Sequence, residues 1–121
     1  MEKVPSRLFL LLVALLIPVL SHQPSLKPPF ELFPFQDKVF HFVEFGGLAL
    51  ALVLNKDLFR KLKRRTGMIC FGILWAAADE AHQYFVPGRD CSFQDFLADG
   101  AGLVAGILLF SALFAAKEKR N

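Results

Sequence analysis

Acidic, imidazole and amide side chains concentrate in three groups along a chain that is otherwise largely apolar. The groups hold our candidate ligand-binding residues, which are Asp37, Lys38, His41, Glu44, Asp79, Glu80, His82, Gln83, Arg89, Ser92, Asp95 and Asp99. Each charged group inside an apolar, membrane-spanning segment costs about 2.5–3.5 kcal/mol on insertion scales. So many costly residues in so short a chain predict a polar functional site.

Helical spacing and the balance of charge indicate what this site does. Asp37, His41 and Glu44 stand at i, i+4 and i+7, which places them on one helical face. The three groups hold an excess of carboxylates over their cationic partners Lys38 and Arg89. Excess acids must be protonated, bind a cation or contact a polar ligand. The structural alternative is that these residues only join helices by hydrogen bonds and ion pairs.

The third group follows a predicted turn at residues 87–88. Arg89 comes directly after this turn, so we expect its long side chain to fold back towards Glu80 or Asp95. Ser92 and Asp95 have the spacing of a capping box, which predicts that a helix begins at Ser92.

A stripe of small and acidic residues continues along this last helix. Asp95, Asp99, Gly102 and Gly106 lie on one face, and the two glycines form a Gly-x-x-x-Gly pattern. Small residues at this spacing let a neighbouring helix approach closely. The stripe therefore predicts close helix packing and also offers a surface for oligomerisation through Gly102 and Gly106.

Motifs of established enzymes are missing from the chain. It has no Gly-x-Ser-x-Gly and no His-Glu-x-x-His pattern. The pairs His41/Glu44 and Asp79/His82 have the spacing of metal ligands, but short pairs of this kind occur often by chance. We expect a binding protein rather than an enzyme, with no metal and no cofactor.

The elements that carry these residues are predicted to be membrane-spanning helices. Of the 121 residues 55% are hydrophobic, and the mean hydropathy is +0.45. Four apolar segments predict an all-α integral membrane bundle of four transmembrane helices in a single domain, residues 1–121. The spans are predicted at about 5–21, 37–54, 66–86 and 92–116, each near the roughly 20 residues that cross a bilayer. A proline-rich outer loop is predicted at 22–36. The alternative for the first span is a cleaved signal peptide, although Val19-Leu20-Ser21 is a poor cleavage site.

The distribution of lysine and arginine predicts the orientation. Eleven of these residues lie in the N-terminus, the middle loop and the C-terminal tail, against three on the opposite side. This asymmetry predicts that both termini are cytoplasmic, so that the three polar groups lie towards the outer face. The net charge of +3 then reflects membrane topology, and we expect no nucleic-acid partner. Cys70 and Cys91 are predicted to be free thiols, because the helix between them separates them too far for a disulfide.

Two motifs, which together span all three polar groups, resemble those of the VanZ-like family of bacterial membrane proteins. The resemblance rests on Asp37-Lys38-x-x-His41-x-x-x-Phe45 and on the longer pattern from Asp79-Glu80-x-His82-Gln83 through Pro87-Gly88-Arg89-x-x-Ser92-x-x-Asp95, which Asp99 and Gly102 continue. It covers about two thirds of the chain, from Gln36 onward. It implies a location in the bacterial cytoplasmic (inner) membrane, a role at the cell envelope and a link to resistance against the glycopeptide antibiotic teicoplanin.

Three functions are compatible with the sequence. The first is an outward-facing site that binds the headgroup of a membrane lipid or a lipid-linked envelope precursor. The second is an intramembrane acid/base or metal-dependent enzyme that acts on an envelope lipid. The third is a small carrier coupled to protons or cations. A carrier needs acids near the midplane that both sides can reach, whereas these acids are predicted to be shallow and one-sided, which favours the first function.

Overall fold

The computed structural model describes residues 3–22, 32–89 and 91–121, and within these ranges the chain forms helices and no strand. The α-helices are α1 (Val4–Ser21), α2 (Gln36–Leu54), α3 (Arg64–Tyr84) and α4 (Phe93–Arg120), with a 3-10 helix at Lys56–Phe59. The predicted all-α class is confirmed. Most of the predicted outer loop falls on residues 23–31, which lie outside the described residues.

The observed helix bounds follow local sequence signals. Helix α3 ends at Tyr84, two residues before the predicted end, and the expected turn follows with Gly88 in the left-handed region at φ 80°. Helix α4 continues beyond the predicted end at residue 116 to Arg120. Its last turn carries Lys117, Lys119 and Arg120, and cations stabilise the negative end of a helix dipole.

Contacts between the helix ends show that successive helices run antiparallel. The end of α1 meets the end of α3 through Ser21 and Asp79, and the start of α2 meets the start of α4 through Lys38 and Asp95. At the opposite side, Lys3 before α1 pairs with Asp57 of the 3-10 helix. The fold therefore has an acidic end, where the predicted site residues lie, and a basic end, which holds both described chain termini.

Glycines bring α2 and α4 together along their length. An added Cβ on Gly102 would collide with the backbone carbonyl of Phe42, and one on Gly106 would lie 2.6 Å from Cβ of Ala49. The predicted close packing is therefore present, and its partner is α2 of the same chain. Oligomerisation through Gly102 and Gly106 stays a prediction, and it would require α2 to leave this surface.

Ion pairs hold the basic end. The Nζ of Lys3 lies 2.8 Å from Oδ2 of Asp57, and the Arg7 guanidinium binds both this carboxylate and Oδ1 of Asn55. Lys3 and Arg7 hold the pKa of the Asp57 carboxyl well below its usual range, because both bind its ionised form. The start of α1 is thereby tied to the connection between α2 and α3.

Two helices, α1 and α4, are long and apolar enough to cross a membrane. Helices α2 and α3 have comparable lengths but carry the charged residues of the predicted site. The predicted crossing by all four helices therefore stays a prediction.

A proline in α1 creates a hydrogen-bonding requirement that α3 meets. Pro18 has no backbone N–H, so it cannot donate to the carbonyl of Ala14 one turn earlier. The indole Nε1 of Trp75 donates to this carbonyl oxygen at 3.1 Å. Trp75 thus fixes α1 against α3.

Replacing Trp75 by phenylalanine should destabilise the bundle by about 1–3 kcal/mol, because the buried Ala14 carbonyl loses its donor. The matched test adds Pro18→Ala, which restores a backbone N–H for the same carbonyl. The second substitution should therefore recover part of the loss, measured by detergent-titrated unfolding followed by circular dichroism. Equal losses with and without Pro18→Ala would contradict this role of Trp75.

Candidate functional site

Five carboxylates from three helices form an acidic cluster at the acidic end of the fold, namely Glu44, Asp79, Glu80, Asp95 and Asp99. Asp79, Glu80 and Asp99 are 4%, 5% and 0% exposed, and Asp95 is also buried. Glu44 is half-buried and interacts electrostatically with Asp79 and Asp99. The structure thus brings together acids that are far apart in sequence.

Asp79 is held by the last turn of α1 and by its own helix. Ser21 Oγ donates to Asp79 Oδ2 at 2.6 Å, and Nε2 of Gln83 donates to the same oxygen at 3.3 Å. Gln83 also donates to Ser21 Oγ at 3.2 Å. These contacts fix one oxygen of the Asp79 carboxylate, Oδ2, and leave the other, Oδ1, without a hydrogen-bond partner among the described residues.

Glu80 is held by the start of α4. The backbone N–H of Ser92 donates to Glu80 Oε2 at 3.1 Å, while Ser92 Oγ accepts from the backbone N–H of Asp95 at 3.3 Å. The predicted capping by Ser92 is confirmed. In a capping box, the side chain three residues after the cap accepts a hydrogen bond from the backbone N–H of the cap residue. Here Glu80 of α3 accepts that hydrogen bond instead. The positive end of the α4 dipole also favours a carboxylate at this point.

Two cationic side chains of α2 lie against the acids of α4. The Lys38 ammonium bridges Asp37 Oδ2 at 2.7 Å and Asp95 Oδ1 at 2.5 Å. His41 Nδ1 lies 2.8 Å from Asp99 Oδ1, and its Nε2 lies 3.6 Å from Asp95 Oδ2. Asp37 itself is exposed, so it borders the cluster and balances Lys38.

Arg89 does not take the predicted position. Its guanidinium donates to the backbone carbonyls of Ser21 at 3.2 Å and Leu20 at 3.4 Å. The last carbonyls of a helix lack partners within the helix, so they offer a planar donor several acceptors at once. The prediction that Arg89 folds back to Glu80 or Asp95 is therefore wrong, and Arg89 instead fastens the turn after α3 to the end of α1.

His82 also lies apart from the acids. It is exposed, and its Nε2 lies 3.1 Å from Nδ1 of His22. The pair Asp79/His82 thus directs its two side chains to different neighbours. Sequence reasoning did not select Ser21 or His22, although a hydroxyl at the last position of an apolar run was a usable signal for the first.

Two shallow cavities lie between α1 and α3, and one of them includes Asp79 of the acidic cluster in its lining. One measures about 130 Å³ and is lined by Pro18, Trp75, Ala78, Asp79 and His82. The other, of about 290 Å³, shares Pro18 and His82 and extends to Val19 and His22. The exposed surface of the smaller cavity is apolar, which suits an apolar chain, and the buried residue Asp79 is part of its lining.

Two of the four α-helices are long and apolar enough to suggest a membrane protein, and the buried acids lie together at one end of the fold. The model of the VanZ/LLP1 family matches residues 8–115, which is most of the chain. The protein therefore belongs to the VanZ/LLP1 family, which confirms the family that the two motifs predict. No curated protein and no solved structure matches the chain.

Proposed function

We propose that this VanZ/LLP1 protein is a multi-pass protein of the bacterial inner membrane that binds the polar headgroup of an envelope lipid or lipid-linked precursor. The headgroup would lie at the acidic cluster, with the lipid chain along the cavities between α1 and α3. The observation that carries the proposal is this combination of buried acids and an adjoining apolar surface that includes Asp79. A soluble polar ligand would have no use for the apolar part.

The distribution of charge supports an outward position for the cluster. Most lysines and arginines of the described residues lie at the basic end, around the start of α1, the region 56–65 and the end of α4. Basic residues favour the cytoplasmic side, so the cluster would face outward and both termini inward. A headgroup of the outer leaflet could then reach the acidic cluster. A cell-surface molecule that a glycopeptide antibiotic binds could reach it as well, so teicoplanin susceptibility is a useful physiological measurement.

The chemistry of the cluster defines what it would recognise. Its carboxylates supply acceptors, while Lys38 and Arg89 are engaged with Asp95 and with carbonyls of α1. Acceptors pair with the hydroxyl and ammonium donors of a headgroup, and these bonds are stronger where the acceptor is charged. A bare phosphate would be repelled unless a cation accompanied it.

An intramembrane enzyme is the second candidate. It is favoured by the convergence of Asp79, Glu80 and Asp99, because carboxylates at this spacing can act as general bases or hold a catalytic ion. Turnover of a bound lipid in the experiment below would distinguish the enzyme from the binding protein.

Asp79→Asn should reduce lipid retention by roughly ten- to hundredfold, as expected for one lost charge-assisted interaction. Retention is measured by native mass spectrometry after extraction of the protein into a mild detergent. Asp57→Asn is the matched control, because it removes a carboxylate from the basic end and should leave retention unchanged.

Three outcomes would contradict the proposal. One is equal retention by wild type and Asp79→Asn, and another is an equal loss in both variants.

The third concerns topology: the exposed thiol of Cys91 should react with a membrane-impermeant reagent applied from outside the cell. Reaction only from the cytoplasmic side would place the cluster on the wrong face.

A further inference from the structure

Three carboxylates of the acidic cluster share an unusual arrangement, in which one oxygen is held by a donor and the other is not. Asp79 Oδ2 accepts from Ser21 and Gln83, Glu80 Oε2 accepts from the Ser92 backbone, and Asp99 Oδ1 contacts His41. The second oxygens, Asp79 Oδ1, Glu80 Oε1 and Asp99 Oδ2, are buried and have no hydrogen-bond partner among the described residues. Glu44 Oε1 is in the same condition.

When ionised, such oxygens require a partner that the described residues do not supply. The three residues are at most 5% exposed, so bulk water does not solvate them freely. An ionised carboxylate buried without compensation is strongly unfavourable. His41 contacts only Asp99 and Asp95 among these acids, and Lys38 is shared by Asp37 and Asp95. Asp79 and Glu80 thus have no cationic side chain in direct contact within the described part of the chain.

The three side chains converge on one point. Asp79, Glu80 and Asp99 each offer a carboxylate oxygen, and these oxygens lie within 4.8 Å of one another. Oxygens on opposite sides of a single ion are about 4.2 Å apart around Mg²⁺ and roughly 5 Å apart around Ca²⁺. The spacing therefore fits one hard divalent cation with little movement of the side chains.

We propose that Asp79, Glu80 and Asp99 form a binding site for a hard divalent cation, with Ser21, Gln83, Ser92 and His41 as the groups that orient its ligands. Oxygen ligands favour Mg²⁺, Mn²⁺ or Ca²⁺ over metals that prefer nitrogen or sulfur. Donors behind each ligand are typical of built metal sites, because they fix the direction of the coordinating oxygen. Spacing along the sequence had suggested only pairs within one helix, whereas this site joins α3 and α4.

A second group of three lies next to the first but is less suited to an ion. It consists of His41, Glu80 and Asp95, whose ligand atoms also lie within 4.8 Å of one another. Asp95 is already neutralised by Lys38, and His41 is bonded to Asp99. Each of the three carboxylates has one oxygen without a partner, so one ion among them would leave the pairs with Lys38 and His41 in place.

This cation would allow the proposed lipid-binding site to bind a phosphate group. This consequence rests on the proposed function, whereas the cation site itself does not. A divalent ion at the cluster removes the repulsion between the acids and a phosphate-bearing headgroup, and it can coordinate a phosphate oxygen in an open position. The residues that hold the ion are the same ones that would otherwise repel a phosphate.

The test uses the full-length protein in an uncharged detergent, stripped of metal with a chelator and titrated with Mn²⁺. Electron paramagnetic resonance should detect one tightly bound Mn²⁺ per chain, and Mg²⁺ or Ca²⁺ should compete for it. Asp99→Asn and Glu80→Gln should each weaken binding by at least about tenfold, because each removes one charged ligand. Asp57→Asn should bind Mn²⁺ as the wild type does.

Folding is checked for every variant by circular dichroism. If Asp99→Asn does not fold, Glu80→Gln still tests the site, because glutamine keeps an acceptor for the Ser92 N–H. Failure of the folded wild type to bind Mn²⁺ stoichiometrically would overturn the cation site, as would unchanged binding in both variants. The outcome is separable from that of the lipid experiment. Stoichiometric Mn²⁺ binding without lipid retention would reject the proposed function and support the cation site, and the reverse result would reject the cation site alone.

Discussion

Replacing Gly102 by alanine should destabilise the bundle by at least about 3 kcal/mol, the upper range for overpacking in a core. The new Cβ would meet the carbonyl oxygen, carbonyl carbon and Cα of Phe42, which are backbone atoms of α2. A side chain can rotate away from such a contact, but a helix backbone can only move as a whole. Helix α2 would therefore shift away from α4 and draw His41 away from Asp99.

Detergent-titrated unfolding measures this effect, and two other glycines, one in α4 and one in α2, supply graded controls. In Gly106→Ala the nearest new contact is the Cβ of Ala49, with the Gly46 carbonyl at 3.3 Å, so the loss should be intermediate. Gly47→Ala meets nothing within 4 Å, and it should be neutral or slightly stabilising because alanine favours the helix. If Gly102→Ala proved as stable as Gly47→Ala, the α2–α4 packing described above would be incorrect.

Replacing Lys38 by methionine should destabilise the protein by about 2 kcal/mol, between the values for an exposed and a buried ion pair. Methionine keeps the apolar stem and removes the ammonium that bridges Asp37 and Asp95. The side chain of Asp95 is only 12% exposed, so its carboxylate would remain in a poorly solvated position, 3.6 Å from Nε2 of His41. Adding Asp95→Asn removes that charge and should recover at least about 1 kcal/mol, as for residues in direct contact.

Lys56→Met provides the comparison at the other end of the molecule. Lys56 lies 3.5 Å from Glu118, and the two side chains are 43% and 72% exposed. An exposed pair of this kind contributes little, so the substitution should change stability by less than about 1 kcal/mol. Similar effects at Lys38 and Lys56, measured by the same unfolding titration, would show that the Lys38 bridge is no more than a surface pair.

The sequence allowed the helices and the convergence of their acids to be predicted, because both depend on short-range rules. Apolar segments of about 20 residues define the helices, and helical spacing gives each acid a face and a depth. Ser92 and the turn before it were predictable for the same reason. The stripe of Gly102 and Gly106 predicted close packing, although spacing alone could not tell whether the partner was α2 or a second chain.

Arg89 and Trp75 show where sequence reasoning failed. Their acceptors are backbone carbonyls of α1, at Leu20, Ser21 and Ala14, and a carbonyl has no signature of its own in a sequence. Charge balance favoured a carboxylate as the partner of Arg89, but the end of a helix presents several unpaired carbonyl oxygens together. Pro18 did mark the Ala14 carbonyl as lacking a donor, although no local rule identifies the helix that supplies one.

The attachment of Arg89 to the end of α1 also has a consequence for biogenesis. The donor and its acceptors are separated by 68 and 69 residues of sequence, so the contact forms only after most of the chain has been synthesised. At ribosomal speeds this interval is on the order of several seconds. During that time the last carbonyls of α1 must accept hydrogen bonds from other donors, such as water. Completion of the acidic cluster is then a late event in insertion, since Ser21 reaches Asp79 only when α3 arrives.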